Sequence, residues 1–239
     1  MQNIDNLDLK HTSLELHSSR FIALKLSDGD FLLIAAAENI NDENLEIMKY
    51  ISGSNLSVII NNHRINFIQK TSLDNKVYSI SFDRGFDRKL CQKIAFANKP
   101  FNLPSTGMTI MPEPSFSVFT NVLKFLNRIQ LIPAAVVCYV NDSEQIKLSN
   151  ILKNKGFYTL HYEKITKFFD VKENINIVAR AKVPLKTCKN SEIIGFRTDL
   201  NGKDHFAIIF NEGNTNHQPL VRIHSQCISG DLLDSLKCD

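Results

Sequence analysis

Five cysteines are scattered through this chain of 239 residues, and the two nearest its carboxyl terminus stand in the setting most able to do chemistry. Cys227 and Cys238 lie eleven positions apart in the stretch VRIHSQCISGDLLDSLKCD (221–239). Thiolates suit zinc, and a catalytic zinc takes three protein ligands while keeping one position for water, whose pKa it lowers toward neutrality. His224, three residues before Cys227, is the nearest further donor, but a strand's period of two turns residues three apart to opposite faces. The competing reading is that both cysteines are ordinary buried thiols, since unpaired cysteine is among the most buried residue types. Spacing alone leaves the two readings open.

The elements that would position such a site follow from composition and periodicity. A hydrophobic share of 43% over 239 residues can build one large core or two modest ones. The net charge of +3 is spread along the chain, which argues against a dedicated nucleic-acid surface. Residues 180–203 carry six Lys/Arg against two acids, an excess that suits a phosphorylated small molecule equally well. The first twenty residues hold no apolar run of signal-peptide length, and no stretch reaches the roughly eighteen apolar residues of a membrane span. A cytoplasmic protein without a membrane partner is expected. In that reducing compartment the odd set of cysteines reads as free thiols or metal ligands rather than disulfides.

Along the chain, FIALKLSDGDFLLIAAA (21–37) predicts two short strands around a Ser-Asp-Gly-Asp turn. A helix is expected from Asn41 or Asp42, with Leu45, Met48 and Ile51 on one face. LSVII (56–60) and VYSISF (77–82) predict strands, and Phe86, Leu90, Ile94 and Ala97 have helical spacing. A proline-rich loop follows, marked by Pro100, Pro104, Pro112 and Pro114, and long loops of this kind inside a domain are often functional. A helix over 116–127, a buried strand at 133–140 and a helix over 143–155 closed by Gly156 complete this part. Beyond about residue 172, NIVARAKVPL, SEIIGFRTD, HFAIIF and PLVRIHS read as strands between Asn/Gly/Lys-rich turns. The fold class predicted is α/β with mixed α+β layers.

The string R-I-H-S-Q-C-I-S-G-D, followed by S-L-K-C-D, resembles the signature of GTP cyclohydrolase II, and the likeness extends back over about residues 178–239. In that family the pattern continues to a third cysteine, and three cysteines hold zinc. The resemblance makes Cys227 and Cys238 two of three expected Zn2+ ligands and assigns GTP binding to Arg222, Ile223, His224, Ser225 and Gln226. Gln226 stands where many members carry Glu, so the acceptor is kept and the charge lost. The third cysteine would be residue 240, so the chain is expected to be truncated within its metal motif. The implied reaction is zinc-dependent opening of the guanine imidazole ring of GTP, with release of formate and pyrophosphate, in riboflavin biosynthesis; Mg2+ would assist at the GTP phosphates. No catalytic residue is assigned within this chain, and Ser229 and Asp231 read as helix-start residues.

The preceding part resembles 3,4-dihydroxy-2-butanone 4-phosphate synthase. AAAEN-IN-DENLEIM and LIPAAVVCYVND carry the likeness over about residues 20–170. It departs where that synthase keeps its chemistry: only SDGD (27–30) occupies the acid-rich magnesium-binding segment, Tyr139 replaces a glutamate, and PSTGMTIMP and SVFTNVLKF lack histidine. A Leu/Ile run offers magnesium no oxygen ligand, and losing acids and histidine together removes general acid–base capacity. The expectation is a degenerate synthase-like domain over 1–172 and the strand-rich opening of a GTP cyclohydrolase II domain over 173–239. The partners implied are GTP and a second copy of the chain as a homodimer. The alternative is a non-catalytic dimerisation or scaffold module.

Overall fold

Seven apolar strand segments of the first 174 residues assemble into one sheet, and the chain divides into two compact units, Met1–Asn174 and Ile175–Asp239. The computed structural model describes residues 2–53, 55–82, 86–103, 107–115, 117–170, 175–198, 204–210 and 220–223. Among these, no helix is long and apolar enough to cross a membrane.

The first unit opens with helix α1 (Gln2–His17), whose Leu9, Thr12 and Leu16 are buried at one-face spacing. Strands β1 (Ile22–Lys25) and β2 (Phe31–Ala36) form a hairpin around the Leu26–Asp30 turn. Helix α2 (Asp42–Ser52) starts where Asn41 accepts a hydrogen bond from the Asn44 amide at 2.8 Å, and ends at Gly53 with φ +60°. Leu45, Met48 and Ile51 are its buried face. Strand β3 (Ser57–Asn61) passes without a loop into α3 (Asn62–Gln69), because Asn61 is at once the last strand residue and the helix cap. Next come β4 (Val77–Phe82) and α4 (Arg88–Phe96), capped by Asp87.

The expected proline-rich loop is partly a strand. Met108–Glu113 forms β5, paired antiparallel with β4, with Pro112 opposite Tyr78. Strand β5 ends the sheet order, and a sheet edge is where a residue without an N–H donor is tolerated. Helix α5 (Val118–Arg128), strand β6 (Ala134–Val140), a 3-10 turn at Asp142–Glu144 and helix α6 (Gln145–Lys155) follow; Gly156 closes α6 with φ +62°. Strand β7 (Thr159–His161) and helix α7 (Tyr162–Asp170) finish the unit.

The sheet order is β5-β4-β3-β6-β2-β1-β7, so β6 and β2 are central and their residues are nearly all buried. Alternation along the strands makes two layers: Val58 and Ile60 of β3 join the core under α2, α3, α4 and α6, while Ile59, also fully buried, belongs to the opposite face. On that face α5 packs against β3, β6 and α7, and α1 against β1, β2 and α7.

The second unit contains a three-stranded antiparallel sheet in the order β10-β9-β8, formed by β8 (Ile175–Lys182), β9 (Ser191–Thr198) and β10 (Asp204–Phe210). The strand expected over PLVRIHS is not present in its described part: residues 220–223 adopt no regular structure and are exposed. The helix expected after Gly230 lies outside the described residues.

Candidate functional site

Two places answer to the residues singled out by sequence, one in each unit. In the first unit, the Leu26–Asp30 turn is closed by the Leu26 amide donating to the Asp30 carbonyl at 2.8 Å and the Gly29 amide to the Leu26 carbonyl at 3.2 Å. Gly29 sits at φ +96°, a conformation side-chain-bearing residues rarely adopt. The Asp30 amide donates to Asp28 Oδ1 at 3.1 Å, so this carboxylate serves the turn.

Tyr139 lies opposite Leu32 across the β2–β6 ladder and is the single exposed residue of β6. Its phenol is pushed above the ordinary value, first by partial burial and then by the negative charges of Glu113, Asp28 and Asp30. The Tyr139 ring meets Phe119 of α5 with centroids 5.9 Å apart. On the same helix, Asn121 Nδ2 donates to the Tyr162 hydroxyl at 2.7 Å; between β4 and β5, Ser79 Oγ donates to Glu113 Oε1 at 2.5 Å. The position that the resemblance gives to a glutamate thus holds a protonated phenol among carboxylates. A phenol raised above its usual range is no base near neutral pH. Among the described residues no group of three His, Cys, Asp or Glu side chains lies close enough together to hold a metal ion.

Sequence reasoning singled out Tyr139 and the SDGD turn but passed over Asn121 and Tyr162. Forty-one residues separate that hydrogen-bonded pair, and no local pattern announces such a contact. Also unanticipated is a cavity of about 340 Å³ beside the same turn, lined by Lys25, Ser27, His161, Tyr162 and Lys167 among others.

In the second unit, Arg222 and Ile223 are exposed, Ile223 to 94%. His224, Ser225, Gln226, Cys227 and Cys238 lie outside the described residues. The described cysteines, Cys91, Cys138 and Cys188, are free and buried. Burial pushes the Cys91 and Cys138 thiols up to about 12, so neither supplies a thiolate near neutral pH.

Comparison with known proteins assigns a class to each unit. The solved 3,4-dihydroxy-2-butanone 4-phosphate synthase of Candida albicans superposes with a TM-score of 0.50 at 14% identity, covering 67% of this chain and 96% of that one. The layered sheet of the first unit is therefore that synthase fold. The GTP cyclohydrolase II family model matches residues 176–239. GTP cyclohydrolase-2 of Shewanella denitrificans is 42% identical over 66 residues, which is 28% of this chain and 32% of the relative. GTP cyclohydrolase-2 of Azospirillum brasilense is 23% identical over 234 residues, covering 94% of this chain. The chain spans 58% of that relative's length. Residues 176–239 are thus similar to the GTP cyclohydrolase II family, and they follow a unit with the fold of the synthase.

Proposed function

We propose that the second unit supplies the opening part of a GTP cyclohydrolase II domain acting in riboflavin biosynthesis. The observation that carries this reading is the family match over 176–239, which contains the string RIHSQC. Arg222 would pair with a phosphate oxygen, and its exposed position leaves the guanidinium accessible. His224 and Ser225 would donate to GTP, and Gln226 would offer its amide where many members offer a carboxylate. Cys227 and Cys238 would ligate zinc; two thiolates are a fitting donor pair for that ion, and further donors complete its tetrahedral shell. The bound ion would supply a Lewis acid and an activated water for opening the imidazole ring, with formate and pyrophosphate released. Magnesium would be held at the GTP phosphates.

The first unit acts as a scaffold rather than as a synthase. What favours this is Tyr139, a protonated phenol standing in the place of a glutamate, with the neighbouring Asp28 engaged by its own turn.

The test is formate release from GTP by this chain alone and by this chain joined to the remainder of the domain from a cyclohydrolase-2 relative. Turnover is expected in the joined protein and background in this chain, with zinc content and turnover of the joined protein both lost in Cys227→Ser. A joined protein that is folded yet holds no zinc, or that keeps full turnover in Cys227→Ser, would overturn the reading.

A further inference from the structure

Strands β1 and β7 run parallel, with Lys25 opposite His161 at their last residues, whereas every other pairing in the seven-stranded sheet is antiparallel. Beyond this shared end the two segments part. Strand β1 folds into the Leu26–Asp30 turn, and β7 enters α7 directly at Tyr162. A crevice outside the carboxyl ends of neighbouring strands whose continuations diverge is the place where open α/β sheets receive ligands. The cavity there measures about 340 Å³, toward the lower end of ligand-sized pockets.

The lining is basic in its free charges. Lys164 is committed to an ion pair with Asp8, which fixes that wall and cancels its charge. Lys25, Lys167 and His161 line the same space, and their side chains make no hydrogen bond or ion pair among the described residues. Glu163 is the one carboxylate in the lining. Asp28 and Asp30 belong to the same turn as Ser27 and Gly29 but stand outside the lining, and their charge bears on Tyr139. The turn therefore presents Ser27 and Gly29 to the cavity, while the charge of its acids bears on Tyr139. Two unpaired ammonium groups, an imidazole and the hydroxyls of Ser27 and Tyr162 form a donor set that suits a compact oxyanion with several acceptor oxygens.

We propose that the β1–β7 crevice is a binding site for a phosphate group, held by Lys25 and Lys167 and completed by His161, Ser27 and Tyr162. The phosphate is that of inorganic phosphate or of a small phosphate ester. No bond is made or broken there. The site is independent of the cyclohydrolase reading, since it lies wholly within the first unit and is probed without GTP.

The experiment is calorimetric and 31P NMR titration of the full chain with inorganic phosphate, glycerol 3-phosphate and glycerol. Saturable binding of a phosphate-bearing probe is expected, with none for glycerol. The double variant Lys25→Gln, Lys167→Gln should weaken binding by about tenfold or more, the loss expected for removing charged hydrogen-bond donors. Lys147→Gln, a lysine on α6 lying over the Tyr50 ring, should leave it unchanged. Melting curves of each variant verify that the fold is intact. Equal binding of both phosphate probes assigns a site for the free ion, tighter binding of the ester assigns a phosphorylated small molecule, and either supports the proposal. No saturable binding by the intact chain, or binding unaltered in the double variant, overturns it.

Discussion

Replacing Asp8 by Asn should loosen the attachment of α1 to α7, and the size and pH dependence of the effect follow from the contacts. The Asp8 carboxylate accepts hydrogen bonds from Lys164 Nζ and the Tyr158 hydroxyl. Those two bonds, Lys164 first, hold its pKa below the usual carboxylate range of about 4. A hydrogen bond to a charged group contributes about 1.5–3 kcal/mol when well buried. Here the side chains of Asp8 and Lys164 are about a quarter exposed, at 25% and 26%, and an Asn amide oxygen still accepts one bond. The expected loss is therefore about 1–2 kcal/mol after allowance for solvent screening. For a chain of this size that corresponds to roughly 2–8 °C in melting temperature. Because the folded pKa is depressed, the stabilisation is complete above the unfolded pKa of about 4 and declines as pH falls through the lower folded value. The assay is urea unfolding of native and variant chains followed by circular dichroism at several pH values between 3 and 8. Tyr158 is shifted upward, by burial and then by Asp8, and its contribution declines only as pH rises beyond the tyrosine range, so it does not disturb this window. A stability gap near zero at pH 7, or one that widens on acidification, would refute the reasoning.

Three further outcomes are expected. Cys91 and Cys138, buried and with thiols raised to about 12, should resist a thiol reagent at pH 8 in the folded chain and react once urea unfolds it. Met48→Ala, which removes a fully buried side chain of α2, should cost about 2–5 kcal/mol in urea unfolding, because surrounding atoms collapse only partly into the cavity. Gly156→Ala, at the left-handed end of α6 with φ +62°, should cost roughly 1 kcal/mol by the same measurement even though the site has open space for the methyl group.

The central sheet was legible because burial on both faces leaves continuous apolar runs, as in β2 and β6. Helix ends marked by Asn41 and Gly156 were legible through their caps. Helix α3 escaped notice because Asn61 ends a strand and caps a helix in one residue. Strand β5 escaped because Pro112 argues against a strand unless the strand is known to be an edge, and edge position is a tertiary fact. Helix α7 has nine residues and acquires its meaning by packing against α5 and α1. The cavity between β1 and β7 depends on a parallel pairing of segments more than 130 residues apart, which leaves no mark on local spacing. The RIHSQC string was legible only as a resemblance, since the same residue types at the same spacing also describe buried thiols.

That the synthase-like fold accommodates a tyrosine at position 139 has a structural reason. Strand β6 buries every other residue from Ala134 to Val140, and these pack the core; Tyr139 alone is exposed, at 48%. Its identity is therefore nearly free of packing constraints apart from the ring contact with Phe119. A glutamate there and a tyrosine there are compatible with almost the same fold. Tyr139→Glu should accordingly lower stability by about 1–2 kcal/mol, from the lost aromatic contact and from adding a carboxylate near Glu113, Asp28 and Asp30. It should not create synthase activity, because one added carboxylate does not supply the remaining magnesium ligands and proton-transfer groups. Incubating both forms with ribulose 5-phosphate and magnesium, and following formate and the four-carbon phosphate product, tests this. Product formation by the native chain would show that the residues present already suffice and would end the scaffold reading. Formation by Tyr139→Glu alone would show that this one position held the reaction back.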